Sequence, residues 1–459
     1  MMKNYAIVLA AGKGTRMKTE LPKCAFPILK KPMIDYIVEN IEASIVDETV
    51  VVVGHQKEVL IDILKDRVEY AHQDIQRGTG HAVMVTRELL EKKRGTTIIM
   101  LGDMPLINDK IINKVMSYHK DRKNDLTVLT TKFDNPKGYG RIIRDENGII
   151  ESIVEHNDCT NEQKAINEVN TGIYVVNNSL LFKEIDKIEM NERKGEYYLT
   201  DIVQLMRNEY KVGTFVLWDS YKVMGVNDLF SISIAEKHLR EEINKVHMLN
   251  GVSIINPETV TIGHNVQIES NVTIYPNTYI TGNSVIKYGS KVGPNTEVHH
   301  SIIHEDVVVK HSLVFDSEIN SGSTVGPFAH LRNGVVIGKN NRIGNFVEVK
   351  NSTTGEGTKA SHLAYIGDAK TGSNVNFGCG SITVNYDGIN KHQTIIGDDV
   401  FIGCNTNLVA PVEIGDRVFI AAGSTVTKNV PSGALAIARN RQINKADYAK
   451  NLIRPKDDQ

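Results

Sequence analysis

The sequence predicts two folds in one chain: an α/β domain over roughly the first half, then an all-β domain built from six-residue repeats. Three observations carry this. Composition changes near residue 250, with 19 Leu in 1–250 but 6 in 251–459, while Gly rises from 14 to 22. Leu favours helices, and Gly-punctuated Ile and Val runs favour strands and turns. Before the change, short apolar runs alternate with helix-like stretches; after it, Ile and Val recur at every sixth position.

In the first half, Tyr5–Ala10, Thr49–Val53, Thr97–Leu101, Leu126–Thr131 and Gly172–Val176 read as strands. Pro32–Ala43, Gly80–Lys93 and Asp109–Lys120 read as helices. This βαβα order predicts a largely parallel sheet covered by helices, with ligands at the carboxyl ends of its strands. Asp228–Leu249 reads as one helix, with apolar residues at three- and four-residue steps (Leu229, Ile232, Ala235, Leu239, Ile243, Val246). The expected domains are therefore 1–227, a helical linker at 228–250, and 251–459.

The repeat is the strongest structural signal. Ile262, Ile268, Ile274, Ile280, Ile286, Val292 and Val298 fall six residues apart. The position two places earlier is also small or β-branched: Val266, Val272, Thr278, Ser284, Ser290, Thr296. The period returns at Ile337, Ile343 and Val349, and again from Ile396 to Val426. Each unit is a short flat strand and a turn, whose inward side chain neighbouring coils bury. The period breaks between Ser381 and Gln393, so the polar stretch Thr383–Asn390 is expected to protrude as a loop.

Composition excludes some functions. Lys plus Arg total 53 and Asp plus Glu 55, for a net charge of −2. That balance argues against a nucleic-acid or membrane-surface binder. The four cysteines form no C-x-x-C pair, which speaks against a zinc ribbon or dithiol redox motif and fits a reducing cytosol. No apolar run is long enough to span a bilayer, and the first residues carry no signal-peptide pattern.

Two groups of residues carry chemistry. The first begins with Leu9-Ala10-Ala11-Gly12-Lys13-Gly14-Thr15-Arg16-Met17 after the first strand, with Pro22-Lys23 following. Glycines let backbone N–H groups approach phosphates, while Arg16 and Lys23 supply positive charge. It is neither a Walker A loop nor a dinucleotide fingerprint. The same group takes in Gln73, Gly78-Thr79-Gly80-His81, Gly102-Asp103, Gly138-Tyr139-Gly140-Arg141, Glu155, Asn170 and Gly225-Val226-Asn227. The second group comprises Arg332, Lys350, His362, Tyr365, Asn376 and the protruding Asn385-Tyr386. These are polar or cationic residues set among small and apolar repeats. A histidine suits removal of a proton from an attacking amine, which makes His362 the candidate base. Glu348 is a candidate to orient it by spacing.

These motifs, in this order over nearly the whole chain, resemble the sugar-1-phosphate nucleotidyltransferase family, and within it the bacterial members that also carry a hexapeptide-repeat acetyltransferase. The resemblance implies a Rossmann-like nucleotidyltransferase domain followed by a left-handed parallel β-helix. It implies acetylation of glucosamine-1-phosphate by acetyl-CoA, then transfer of uridylyl from UTP to N-acetylglucosamine-1-phosphate, giving UDP-N-acetylglucosamine for cell-envelope precursors. By resemblance, Asp103 and Asn227 hold Mg²⁺, and Lys23 and Arg16 face phosphates. Leu9, Ala10, Ala11, Gly12, Gln73, Gly78, Thr79, Gly140, Glu155, Asn170 and Asn227 line the nucleotide-sugar site. Arg332, Lys350, Tyr365 and Asn376 would hold glucosamine-1-phosphate. Cys379, Asn385, Tyr386, Cys404, Ala422 and Arg439 would line the acetyl-CoA site. A cytoplasmic homotrimer is implied, with no nucleic-acid partner and no membrane insertion.

Two departures stand out. Relatives often carry Tyr where this chain has Leu101, so Leu101 is left outside the expected site. Relatives commonly carry Ala and Ser where this chain has Cys379 and Cys404. Either these two thiols are reactive and their modification blocks acetyl transfer, or they are small buried residues with inert thiols. Two other readings fit the sequence: a nucleotidyltransferase whose repeat domain only regulates or oligomerises, and a non-enzymatic subunit that keeps both folds.

Overall fold

A computed structural model describes residues 3–452. The chain divides into two compact units, Met1–Arg240 and Glu241–Gln459, and the division falls inside the helix Leu229–Leu249.

The first unit is built on a mixed sheet. Its strands are β1 (Lys3–Leu9), β2 (Glu48–Val53), β3 (Glu69–His72), β4 (Gly95–Leu101), β5 (Leu126–Lys132), β6 (Arg141–Arg144), β7 (Ile150–Val154), β8 (Glu168–Asn177) and β9 (Val212–Leu217). The main order is β9-β5-β8-β4-β1-β2-β3, with β6 and β7 attached beside β8. β1, β2, β3 and β4 run parallel, whereas β8 runs antiparallel to β4 and β5. Both faces are buried, as an α/β sheet requires. Ala6, Val8, Val51, Val53, Ile98 and Met100 pack into one apolar cluster, and Tyr5, Ile7, Val50, Val52 and Ile99 into the other. The alternation follows the two-residue period of a strand.

The helices in the first half of this unit are α1 (Met33–Glu42), α2 (Lys57–Leu64), α3 (Gly78–Met84), α4 (Arg87–Leu90) and α5 (Asp109–Arg122), and Asn161–Lys164, Asn178–Glu184 and Asp201–Met206 follow as short helices. One expectation fails here. The single helix expected over Gly80–Lys93 is two short ones, α3 and α4. The Thr86 hydroxyl between them donates to the Val83 carbonyl at 2.7 Å. A buried side-chain bond of this kind competes with the helical ladder.

The second unit is a three-sided parallel β-helix. Ile274 pairs with Val292 and Ile280 with Val298, a register of 18 residues, or three six-residue units per coil. The inward positions form one continuous core, from Val252 to Val430. Val266, Val272, Thr278, Ser284, Ser290 and Thr296, two places before each Ile or Val, are buried as well. Between Val298 and Ile337 the strict period is absent from the sequence, yet the stack continues. Val298 pairs with Val314 and Ile303 with Ile319, a spacing of 16. The corners are shorter there, while the strands keep their register.

The break after Ser381 also resolves differently from the expectation. Thr383 belongs to the strand Ile382–Val384, is buried, and donates to the Gly367 carbonyl at 2.9 Å. The excursion starts at Asn385. Across it, pairing continues as Thr383 with Leu408 and Thr371 with Ile396, a spacing of 25.

Candidate active sites

In the first unit, the ends of β1 and β4 bring three distant segments together. The chain leaves β1 at Leu9 and turns through Gly14, whose φ of +60° favours glycine. A Cβ there would lie 2.5 Å from Cβ of Lys23, so the missing side chain lets Lys23 pack against the loop. Asp103 follows the end of β4. Its carbonyl accepts from the Val226 amide at 2.9 Å, which draws Gly225–Asn227 alongside.

The side chains then converge. Lys23 Nζ donates to Asp103 Oδ2 and, at 2.7 Å, to Asn227 Oδ1. Arg16 donates to the same Asn227 oxygen at 2.7 Å. Asp103 Oδ1 is buried and has no hydrogen-bond partner among the described residues. An unsatisfied buried carboxylate oxygen is costly and calls for a cation or donor. This oxygen and the Asn227 amide oxygen are the hard donors a divalent cation takes, with water and phosphate completing its shell. The residues present therefore fit such an ion.

Two adjoining cavities open beside this cluster. The larger, about 660 Å³, is lined by Leu9, Ala11, Gly12, Arg16, Gln73, Gly78, Thr79 and Glu155 among others. The smaller, about 210 Å³, is lined by Asp103, Gly140, Glu155, Asn170 and Asn227 among others. Leu9, Thr79, Leu101 and Glu155 line both. Ala10 is buried behind the loop and lines neither; Lys23 reaches the site only through its ammonium. Asn170 is held on both sides: its Nδ2 donates to the Tyr174 hydroxyl at 2.8 Å, and its Oδ1 accepts from Gly172 N at 3.0 Å. Burial raises the Glu155 carboxyl above its ordinary range; Lys194 opposes that, and Asp158, Asp201 and Glu196 add to it.

Several lining residues were not foreseen. Leu101, left out on the sequence, lines both cavities: β4 carries it to their shared wall, whatever its chemistry. Lys194, Glu196 and Tyr198 reach the larger cavity from the hairpin Met190–Asn191/Glu196–Tyr197. The only sequence signal for them was the polar-aromatic string Gly195-Glu196-Tyr197-Tyr198.

On the β-helix, the expected residues fall into neighbouring groups. Arg332 and Lys350 are in register on successive coils. Arg332 donates from Nε at 2.9 Å and from Nη2 at 2.6 Å to Glu348 Oε1. Lys350 is buried, with Nζ 3.8 Å from Asp368 Oδ2. Asp368 also accepts from Asn385 and, at 2.5 Å, from Asn351. Burial opposes its charge, but these bonds and Lys350 outweigh burial and hold the carboxyl below its ordinary range. Asn385 Nδ2 also lies 3.4 Å from the Tyr365 hydroxyl. Lys391, one residue beyond the loop string read from the sequence, is held low by the like charge of Lys350.

His362 is exposed, and its Nδ1 pairs with Asn345 Oδ1 at 2.9 Å. The expected orienting role of Glu348 is therefore corrected. Glu348 is engaged by Arg332, and Asn345, in register with His362 one coil away, orients the ring. Asn376 opens a strand in register with Lys359. Cys379, Cys404 and Ala422 follow one another on adjoining coils: Asn405 N donates to Cys379 O and Gly423 N to Cys404 O, each at 2.8 Å. Arg439 reaches the same column, with Cδ 3.6 Å from where a Cβ on Gly423 would lie. Tyr386 folds its hydroxyl onto Gly388 O at 2.6 Å within the loop. Both thiols of the column are exposed, so burial does not protect them. Cys24 and Cys159 are the buried ones, and burial pushes the Cys24 thiol up to about 12.

The comparisons agree with this division. Residues 5–222 match the nucleotidyl transferase family model, residues 393–428 the bacterial transferase hexapeptide (six repeats) model, and residues 244–354 the GMPPB C-terminal domain model. The chain is thus a nucleotidyltransferase joined to a hexapeptide-repeat transferase. It is 61% identical over 455 residues to the bifunctional protein GlmU of Acholeplasma laidlawii, covering 99% of both chains. It is 45% identical to that of Listeria welshimeri, covering 98% of this chain and 99% of the relative. The chain belongs to the bifunctional GlmU family. No helix among the described residues is long and apolar enough to cross a membrane.

Proposed function

We propose that the two clusters divide the synthesis of UDP-N-acetylglucosamine between them. The chain is a bifunctional transferase. Acetyl-CoA acetylates glucosamine-1-phosphate on the β-helix, and N-acetylglucosamine-1-phosphate then takes uridylyl from UTP in the first unit, releasing pyrophosphate.

Uridylyl transfer asks the protein for alignment and charge neutralisation more than covalent help. Lys23 and Arg16 bring cationic donors to the phosphates, while the Gly12–Gly14 turn lets backbone amides approach. Glu155, Asn170 and Gly140 receive the sugar in the smaller cavity, and Gln73, Gly78 and Thr79 receive the base in the larger. Asp103 and Asn227 would hold Mg²⁺, which when bound offsets the negative charge of the triphosphate.

For acetyl transfer, His362 is the base. With its Nδ1–H donating to Asn345 Oδ1, the Nε2 lone pair stays free to take the proton of the attacking amine. The carbonyl carbon then gains the C–N bond and loses the C–S bond, and the departing sulfur takes the proton back from His362, so coenzyme A leaves as the thiol. Arg332 and Lys350 hold the sugar phosphate, and Arg332 can do so bidentately. Tyr365, Asn376, Asn385 and Tyr386 position the sugar and the coenzyme. The column Cys379-Cys404-Ala422, with Arg439, receives the rest of the coenzyme. A cytoplasmic homotrimer completes the reading, since hexapeptide helices pack side by side.

The observation that carries the proposal is the meeting of Lys23, Asp103 and Asn227 at the mouth of two joined polar cavities. The test is product analysis by mass spectrometry with glucosamine-1-phosphate, acetyl-CoA, UTP and Mg²⁺, each omitted in turn. UDP-N-acetylglucosamine only in the complete mixture is expected. Pyrophosphate release from UTP with N-acetylglucosamine-1-phosphate supplied directly, without any thiol release from acetyl-CoA and glucosamine-1-phosphate, would restrict the chain to nucleotidyl transfer.

A further inference from the structure

Gln73 is, among the described residues, the one buried amide side chain that lines the larger cavity, from the strand end after β3. An amide has a donor end and an acceptor end, and which end meets a nucleotide base decides what it reads. The structure fixes the choice. Gln73 Nε2 lies 3.0 Å from the Gly78 carbonyl oxygen, which can only accept. The nitrogen end must therefore point there. The same Nε2 lies 3.0 Å from His81 Nδ1. Its two hydrogens are thus matched to two acceptors, provided His81 keeps a lone pair on Nδ1. Oε1 takes no hydrogen bond from the described residues and is left to the cavity.

His81 is held for that task. It sits in α3 and stacks on Tyr197 of the overhanging hairpin, with ring centroids 6.4 Å apart and planes at 30°. Gly78, with a φ of +91°, lets the α3 start meet that hairpin, because a Cβ there would lie 2.5 Å from the Tyr197 carbonyl. Burial, then the positive charge of Arg77, hold His81 below its ordinary value, so the ring is neutral near pH 7. Among the described residues, Tyr197 of the hairpin is the other ionisable side chain in ring contact with it.

We propose that His81 is a positioning residue for base selection: its neutral Nδ1 locks the Gln73 amide so that only the acceptor oxygen faces the base. An acceptor at this point suits a base with an imide N–H, as uracil has at N3, and repels cytosine, whose N3 is itself an acceptor. The inference rests on the cavity being the UTP site and adds how that site refuses a related pyrimidine. When His81 gains a proton, two N–H donors face each other, and the amide must turn or shift.

The test uses the full-length protein, assayed for pyrophosphate release from UTP and from CTP. H81F keeps the ring stack but removes the acceptor. H81N keeps an acceptor near the same place. For H81F the expected result is a KM for UTP raised about five- to tenfold, a UTP-over-CTP preference reduced by a similar factor, and an unchanged KM for N-acetylglucosamine-1-phosphate. H81N restores most of the preference. In the unmodified protein, KM for UTP rises as pH falls below His81's ordinary range, and this rise is absent in H81N. This pH profile needs no destabilising variant. An unmodified protein that turns over UTP with a flat KM profile, or an H81F protein with unchanged UTP preference, overturns the inference alone. An unmodified protein that never releases pyrophosphate from UTP overturns the reading of the cavity as well.

Discussion

Replacing Asn345 with Ala isolates the orienting bond of the proposed acetyl-transfer base. The perturbation removes one neutral hydrogen bond, Asn345 Oδ1 to His362 Nδ1 at 2.9 Å, on an exposed ring. Such a bond is worth about 0.5–1.5 kcal/mol net, or roughly a two- to twelvefold effect. A general base contributes on the order of 10²–10⁴-fold. Asn345→Ala should therefore lower kcat for acetyl transfer by up to about tenfold, and His362→Ala by about a hundredfold or more. Because Asn345 acts only through His362, the double variant should be no slower than His362→Ala. The assay is thiol release from acetyl-CoA with glucosamine-1-phosphate, with pyrophosphate release from UTP as the internal control. Glu348→Gln gives a contrast: it frees Arg332 and should change the KM for glucosamine-1-phosphate more than kcat. The reasoning fails if Asn345→Ala and His362→Ala multiply in the double variant, or if Glu348→Gln reproduces the kcat loss of Asn345→Ala.

Asp103→Asn should remove magnesium-dependent pyrophosphate release by about a hundredfold or more while thiol release stays within about twofold, measured on one preparation. Limited alkylation should modify Cys379 and Cys404 before Cys24 and Cys159, and should stop acetyl transfer while sparing uridylyl transfer; peptide mapping scores it, and full acetyl transfer with both thiols modified rules it out. Glu155→Gln should raise the thermal midpoint of the substrate-free protein at pH 7–8. A carboxyl held high in the folded state binds its proton more tightly there than in the unfolded chain, so ionising it costs stability as pH rises; the gain from Gln should shrink toward acid pH, where Glu155 is protonated in both states. An equal gain at every pH would show that ionisation is not the cause. Ile343→Ala, a deletion in the β-helix core, should cost about 2–5 kcal/mol in denaturant titration.

Five strands of the first unit were legible because apolar runs report burial directly, as with Val50–Val53 on β2; β3, β6, β7 and β9, shorter or less apolar, were not read. α3 and α4 were not separable, since the break depends on where the Thr86 hydroxyl finds its acceptor. The six-residue period exposed the β-helix, but corner length has no hydrophobic signature, so the coils between Val298 and Ile337 escaped. At the sites, motif residues such as Asp103 and Asn227 were readable as types; their meeting depends on the Val226 amide bond to Asp103, which no spacing encodes. Asn345 was missed because its partner lies one coil away. Sequence distance suggested Glu348, but coil register decided otherwise. Leu101 was excluded on its chemistry, although position alone makes it part of the wall.

The excursion at Asn385–Gln393 leaves the strands before and after it paired as though nothing intervened. A stacked coil therefore tolerates extra chain at a vertex without relaying any strain to the rungs above and below. Lineages can lengthen, shorten or rewrite such a vertex while the column of Ile and Val stays untouched. On this scaffold, reshaping what is recognised is decoupled from the cost of staying folded.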